Sequence, residues 1–90
     1  MLGFNVTGQV QGVFFRRTTI TTAQSLSLHG WVMNVADGSV IGQAQGLKEN
    51  LDQLVEYLHR GPPTAHVEHV EIQEKADNPA LYEREFGPRK

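Results

Sequence analysis

The chain of 90 residues contains no cysteine, so it can form neither a disulfide framework nor a thiolate metal site. A cysteine-free chain fits a reducing compartment, and we expect the protein to work in the cytoplasm. Consecutive apolar residues never extend beyond a few positions, which excludes a membrane-spanning helix. These absences are typical of a small globular protein that makes no use of a membrane.

An excess of positive charge is also missing. Lys and Arg together number 8, Asp and Glu number 10, and the net charge is −2 with the histidines neutral. A nucleic-acid-binding domain usually carries a basic balance or a basic stripe. An RNA-binding sheet would in addition need paired exposed aromatic residues on its central strands, and the predicted strands offer no such pair. We therefore expect no nucleic-acid partner.

The four histidines do not share a spacing that is typical of metal ligands. His66 and His69 lie three residues apart on a predicted strand, which would place their side chains on opposite faces of a sheet. The serines lack the surroundings of a nucleophile elbow. We therefore expect no metal site and no cofactor.

Two helices are predicted from the spacing of apolar residues. The first begins near Phe15 or Arg16 and ends before Gly30, which is well placed to terminate it. Its run of threonine and isoleucine has a poor helix propensity. A helical face is favoured instead by the spacing of four residues, Phe15, Thr19, Ala23 and Leu26. The second helix is predicted around residues 51–58, where apolar residues recur at i, i+3, i+4 and i+7, and Gly61 ends it.

The predicted strands surround these helices. An Asp37-Gly38 dipeptide predicts a hairpin with a two-residue loop between the second and third strands. Val67 is out of phase with the apolar residues that follow it, which predicts a bulge or a twist. The fold predicted for residues 1–90 is a single α+β domain of the ferredoxin-like β-α-β-β-α-β type, an antiparallel sheet with two helices on one face. Its strands are predicted at residues 4–10, 31–35, 39–45 and 66–74, with a short final strand at 82–86.

One segment predicts a phosphate-binding site. Residues 8–16, with the sequence GQVQGVFFR, run from a strand through a glycine-containing loop into a helix that starts with Arg16. The first N–H groups of a helix have no partner within the helix, and the helix dipole adds partial positive charge there. Arg16 adds a planar fork of donors that matches phosphate oxygens. A solvated arginine beside an ordinary loop is an equally good interpretation of these residue types alone.

Two segments together resemble the signatures of the acylphosphatase family. The first is the segment at residues 8–16, and the second is WVMNVADGSV at residues 31–40, with Gly46 six residues further on. Both occur in the expected order and at the expected spacing, and the similarity continues more loosely to Phe86. The resemblance implies a ferredoxin-like fold, which agrees with the pattern of strands and helices. It also implies an enzyme, expected to be a monomer, that hydrolyses the carboxyl-phosphate bond of small acyl phosphates to a carboxylate and inorganic phosphate.

The resemblance also implies a role for each residue of the site. Arg16 matches the arginine that binds the phosphate group. Asn34 matches the asparagine that orients the attacking water, although an asparagine just before an Asp-Gly turn is also ordinary turn chemistry. No metal or cofactor is implied. The phosphate oxygens are expected to be bound by the backbone N–H groups of Gln11, Gly12, Val13, Phe14 and Phe15.

The chain departs from the family pattern at two positions near these residues. Val35 follows Asn34 where many relatives carry a small hydroxyl residue, and Thr18 stands where an aromatic residue is frequent. Two rival interpretations remain. One is a catalytically silent anion-binding or regulatory module of the same fold, and the other is an RNA-binding domain. The silent module would be the natural interpretation if Arg16 or Asn34 were replaced, and both are present.

Overall fold

The computed structural model describes residues 1–11 and 14–89 and contains two α-helices, α1 and α2, and a sheet of five strands, β1 to β5. The spatial order of the strands is β4-β1-β3-β2-β5. A 3₁₀ helix, Pro79–Glu83, precedes the last strand. In chain order the elements are β1 (Leu2–Gln9), α1 (Phe15–Ser25), β2 (His29–Asn34), β3 (Val40–Gln45), α2 (Lys48–Arg60), β4 (His66–Glu74) and β5 (Gly87–Pro88).

The first four strands form the antiparallel part of the sheet, with β1 between β3 and β4, and β2 on the far side of β3. The buried apolar side chains of these strands and of both helices form one core. This arrangement confirms the predicted ferredoxin-like fold. The largest completely buried apolar side chains include Phe15, Leu28, Leu54, Leu58 and Phe86.

The fifth strand differs from the prediction in both position and direction. It pairs parallel to β2 through Gly87 and Pro88, so the sheet is mixed. The short final strand predicted at residues 82–86 is wrong. Asn78 accepts a hydrogen bond on its side chain from the N–H of Ala80, and Pro79 occupies the first helical position, so the chain turns into a 3₁₀ helix instead.

The first helix also ends earlier than predicted. It stops at Ser25, and Ser27 adopts the left-handed conformation, φ 54°, that was expected of Gly30. Gly30 instead lies inside β2 with φ 146°, where a Cβ atom would meet the Gln43 carbonyl oxygen at 1.9 Å. The glycine is required by the close approach of β3 and does not terminate the helix.

The threonines of α1 show how a sequence with poor propensity stays helical. The hydroxyl of Thr19 donates to the carbonyl of Phe15 at 2.8 Å, and that of Thr21 donates to the carbonyl of Arg17 at 3.2 Å. Thr19 is completely buried, so its hydroxyl needs a partner, and the preceding turn of the helix provides one.

A β-bulge interrupts the pairing of β1 with β4. Thr7 pairs with His69 and Gly8 pairs with Val67, so one extra residue, Glu68, is inserted in β4. This confirms the bulge predicted from the phase of Val67. The predicted placement of His66 and His69 on opposite faces is wrong, because their partners Gln9 and Thr7 lie two residues apart on β1 and share a face.

Candidate active site

The start of α1 has an unusual backbone conformation. Phe14, the residue before the helix, has φ 63° and ψ 17°, the left-handed region that non-glycine residues rarely occupy. Its side chain is 68% exposed, whereas the side chain of Phe15 is only 1% exposed and packs in the core. The carbonyl of Phe14 accepts the N–H of Thr18 at 2.9 Å and the hydroxyl of Thr18 at 3.0 Å. The left-handed residue therefore directs its own ring outwards while the next ring anchors the helix.

The first turn of α1 provides free backbone donors. No side chain of the described residues caps this end of the helix, and the first turn contains no acidic residue. The N–H groups of Phe15, Arg16 and Arg17 therefore have no acceptor within the helix, and no carboxylate of this turn neutralises the positive end of the dipole. A bound anion would accept hydrogen bonds from these N–H groups and would compensate the positive end of the dipole.

Arg16 is exposed, and the ion pairs found among residues 1–11 and 14–89 do not include it. Its guanidinium group is therefore available to a ligand. Asn34 is the last residue of β2, pairs with Val40 and is exposed. Both side chains line a single cleft together with Val10 and Phe14. The structure thus brings together the two predicted site residues, which lie 18 positions apart in the chain, one on an α-helix and the other at a hairpin.

The charge in this cleft is of one sign. Its lining residues include Arg16 and Arg17 but no Asp or Glu. A second concavity, on the face of the sheet opposite the helices, is lined by Trp31, Glu71 and Lys75 among others, so it mixes the two signs and contains no helix start. The cleft at α1 is accordingly the better site for a phosphate group.

The β2–β3 hairpin that carries Asn34 is held by its own hydrogen bonds. The carboxylate of Asp37 accepts the N–H of Ser39 at 2.9 Å and its hydroxyl at 2.6 Å. Both bonds lower the pKa of Asp37 below its usual value, and the bond from the Ser39 hydroxyl has the larger effect. The N–H of Val35 donates to the carbonyl of Ser39 at 2.9 Å, and the N–H of Gly38 donates to the carbonyl of Val35 at 3.0 Å. These hydrogen bonds therefore hold the end of β2 in a fixed position.

Two further residues support the site, and the sequence did not indicate either role. The side-chain amide of Gln11 donates to the carbonyls of Val35 at 2.7 Å and Ser39 at 3.1 Å, although only the backbone of Gln11 had been predicted to act. The hydroxyl of Tyr57 on α2 contacts the hydroxyl of Thr18. Contacts between residues so distant in the chain leave no local pattern in the sequence.

The loop that precedes α1 is only partly described. Gln11 and Phe14 are placed, whereas the predicted backbone donors of Gly12 and Val13 lie outside the described residues. Within the described ranges, no three His, Asp or Glu side chains are grouped so that they could hold a metal ion. No described helix has the length and apolar character needed to cross a membrane.

Comparisons with known proteins agree on one family. A family model described as Acylphosphatase matches residues 2–87. An acylphosphatase of Acaryochloris marina is 44% identical over 71 residues, which are 79% of this chain and 76% of that protein. One of Burkholderia mallei is 46% identical over 69 residues, covering 77% of this chain and 70% of that protein.

Solved structures give the same result. The acylphosphatase from Bacillus subtilis superposes with a TM-score of 0.89 at 32% identity and covers 100% of both chains. That from Coxiella burnetii superposes with a TM-score of 0.87 at 37% identity and covers 98% of this chain and 90% of the other. The predicted family and fold are therefore confirmed by sequence and by structure, while the roles of individual side chains remain predictions.

Proposed function

Because the chain belongs to the acylphosphatase family, we propose that it hydrolyses small acyl phosphates by binding the phosphate group at the start of α1 and orienting a water molecule with Asn34. It does so as a single domain and without a metal ion or cofactor. One observation carries this proposal: Arg16, Asn34 and an uncapped helix start line one cleft that contains no carboxylate.

Binding of the phosphate group is the first task of the site. The guanidinium group of Arg16 donates two parallel hydrogen bonds to phosphate oxygens, and the free N–H groups at the start of α1 donate to the others. The backbone N–H groups of Gln11, Gly12, Val13, Phe14 and Phe15 complete the cradle. Because the N–H groups in the first turn of α1 are held by the helix before substrate arrives, they stabilise the charge of the phosphoryl group without reorganising.

The substrate itself explains why so few side chains suffice. Water attacks the phosphorus atom, the bond from phosphorus to the acyl oxygen breaks, and its electron pair leaves with the carboxylate. The conjugate acid of that carboxylate has a pKa of about 4 to 5, by analogy with Asp and Glu, so the leaving group needs no proton. Positioning and charge stabilisation are what remain for the protein.

Orientation of the water is assigned to Asn34. Its side-chain carbonyl accepts a hydrogen bond from the water and so aims an oxygen lone pair at phosphorus, opposite the leaving group. An amide is not a useful base at neutral pH. The proton of the water is therefore transferred to an oxygen of the substrate's own phosphate group.

We propose that the enzyme works as a monomer, with Arg16 and Asn34 of the same chain lining its site. We place it in the cytoplasm, where a chain without cysteine needs no oxidising environment. Its substrates are small acyl phosphates, inorganic phosphate is its product, and neither a nucleic acid nor a membrane takes part.

Hydrolysis of benzoyl phosphate tests the proposal. We expect wild type to turn over with and without EDTA, and Arg16→Gln to lose about 100- to 1,000-fold in kcat/KM. Arg60→Gln, which removes an exposed arginine from the last turn of α2, is the matched control and should keep wild-type kinetics. A wild type without turnover would contradict the proposed activity, and turnover abolished by EDTA would contradict the absence of a metal ion.

A further inference from the structure

Gln11 connects the two halves of the proposed site. Its side-chain nitrogen lies 2.7 Å from the carbonyl oxygen of Val35 and 3.1 Å from that of Ser39. Both partners accept hydrogen bonds and cannot donate them, so only the NH₂ end of the amide fits between them. Each of its two N–H groups has one acceptor. The backbone of Gln11 belongs to the loop that leads into α1, whereas both acceptors belong to the β2–β3 hairpin.

The two acceptors lie where the hairpin begins. Val35 directly follows Asn34, and its N–H donates to the carbonyl of Ser39. The amide of Gln11 therefore binds the hairpin at Val35 and Ser39, the two residues that already form a hydrogen bond with each other. Ser39 is only 3% exposed, and Asp37 holds both its N–H and its hydroxyl. Gln11 is thus attached to a rigid part of the hairpin next to Asn34.

We propose that Gln11 is a positioning residue, which sets the distance and angle between the phosphate cradle and the water held by Asn34. This inference rests on the proposed function. The cradle and Asn34 are carried by different elements, and a misplacement of about 1 Å between reacting groups can reduce a rate by about 100-fold. The side chain of Gln11 contacts the hairpin and not the reacting atoms. It acts through the backbone of the hairpin that carries Asn34.

The Gln11→Met variant removes both donors and keeps the length of the side chain. We expect its kcat to fall by about 10- to 100-fold. The inhibition constant of inorganic phosphate should stay within about 3-fold of wild type, because Arg16 and the start of α1 are untouched. A general loss of structure would instead weaken phosphate binding and turnover together. Gln53→Met is the matched control, since Gln53 is exposed on α2 and lies outside the proposed site, and it should keep the wild-type kcat.

Gln11→Glu gives an independent measurement through pH. At neutral pH its carboxylate would face the two carbonyl oxygens of Val35 and Ser39 and repel both. A protonated carboxyl group can donate one hydrogen bond to one of them, which favours the neutral form and raises its pKa above the usual value of about 4.3. The kcat of Gln11→Glu relative to wild type should therefore rise as the pH falls from 7 towards 4.5, while the relative kcat of Gln11→Met stays constant.

A double variant with Asn34→Ala shows whether Gln11 acts through Asn34. If it does, Gln11→Met should cost little further activity once Asn34 is absent, because the two changes remove one function. A wild-type kcat in Gln11→Met would overturn the positioning role and leave the proposed function intact. The same conclusion would follow if the loss of activity in the double variant equalled the product of the losses in the two single variants. No turnover by wild type would reject the proposed function itself. Thermal unfolding of each variant confirms that it is folded at the temperature of assay.

Discussion

The two helices of this protein both pack against the sheet, but they differ in the charged residues of their first turns. Helix α2 begins with Lys48 but has the acidic residue Glu49 in its first turn, and His59 and Arg60 in its last turn place positive charge at the negative end of its dipole. Helix α1 has no acidic residue in its first turn and no basic residue in its last. A helix end that has no acidic residue keeps its partial positive charge available to a ligand, which fits the phosphate site proposed at the start of α1.

The two helices also differ in the side chains that they bury. Leu51, Leu54 and Leu58 of α2 are buried apolar side chains, whereas α1 buries Thr19 and Ala23 in addition to Phe15. The contribution of α2 to stability is therefore mainly apolar burial. That of α1 depends more on hydrogen bonds and on one aromatic anchor.

The largest effect on stability is expected from α2. Leu58 is completely buried, and Leu58→Ala should lower the free energy of unfolding by about 2 to 5 kcal/mol. Thr19→Val, at the completely buried polar position of α1, should cost only about 0.5 to 1.5 kcal/mol, because the Phe15 carbonyl keeps its helical N–H partner. Urea unfolding followed by circular dichroism measures both. Equal losses would contradict the contrast between the helices.

A second experiment gives α1 the acidic residue that α2 already has. Arg17→Glu should weaken inhibition by inorganic phosphate about 10-fold, since it places a negative charge beside the anion site, while it should raise the free energy of unfolding by about 0.3 to 1 kcal/mol. Arg17→Gln separates loss of the cation from gain of the anion and should weaken inhibition less. Unchanged phosphate inhibition in Arg17→Glu would show that the anion binds elsewhere.

The strained residue before α1 provides a third test. Phe14 has a positive φ, and asparagine adopts this conformation more readily than other non-glycine residues. Phe14→Asn should therefore raise the free energy of unfolding by about 0.5 to 1 kcal/mol. Phe14→Ala, which removes the exposed ring without favouring positive φ, is the control and should not stabilise. A stabilisation shared by both variants would assign the effect to the exposed ring.

The smallest effect concerns the hairpin that faces α1 across the cleft. Hydrogen bonds from Ser39 lower the pKa of Asp37 in the folded protein, so the stability they provide is present above the usual Asp pKa of 3.8 and is lost as the pH falls through the lower folded value. The stability difference between wild type and Asp37→Asn should be constant above about pH 5 and shrink below the usual Asp pKa. Acid unfolding curves measure it, and a difference that grows in acid would contradict the assignment.

Local patterns in the sequence predicted the parts of the structure that local physics determines. The leucine spacing of α2 and the phase of Val67 correspond to an observed helix and an observed bulge. A hairpin does form at Asp37-Gly38, but the predicted two-residue loop is wrong, because the N–H of Val35 donates to the carbonyl of Ser39 and three residues lie between them. Arg16 was predicted at a helix start by an argument that needs only the chain around it. Asn34 depended on resemblance, because an asparagine before a turn has an ordinary explanation.

The predictions that were wrong concern segments whose conformation is determined by a contact with another part of the chain or by a cap. Gly30 has the residue type of a helix terminator, but β3 requires its lack of a side chain, and Ser27 takes the left-handed position instead. The final strand moved because the cap at Asn78 favours a 3₁₀ turn. Gln11 and Tyr57 could not be predicted to support the site, because their partners are 24 or more residues away in the chain.

The bulge in β4 also affects how copies of the protein meet. β4 is an edge strand, so one side of its backbone has N–H and C=O groups that no neighbouring strand satisfies. A second chain could extend the sheet only along an uninterrupted run of such groups, and the extra residue Glu68 breaks that run. Glu68 and Glu71 are exposed and add like charges that copies would have to bring together. We therefore expect the same irregularity that redirects Val67 into the core to oppose aggregation through this edge in concentrated solution.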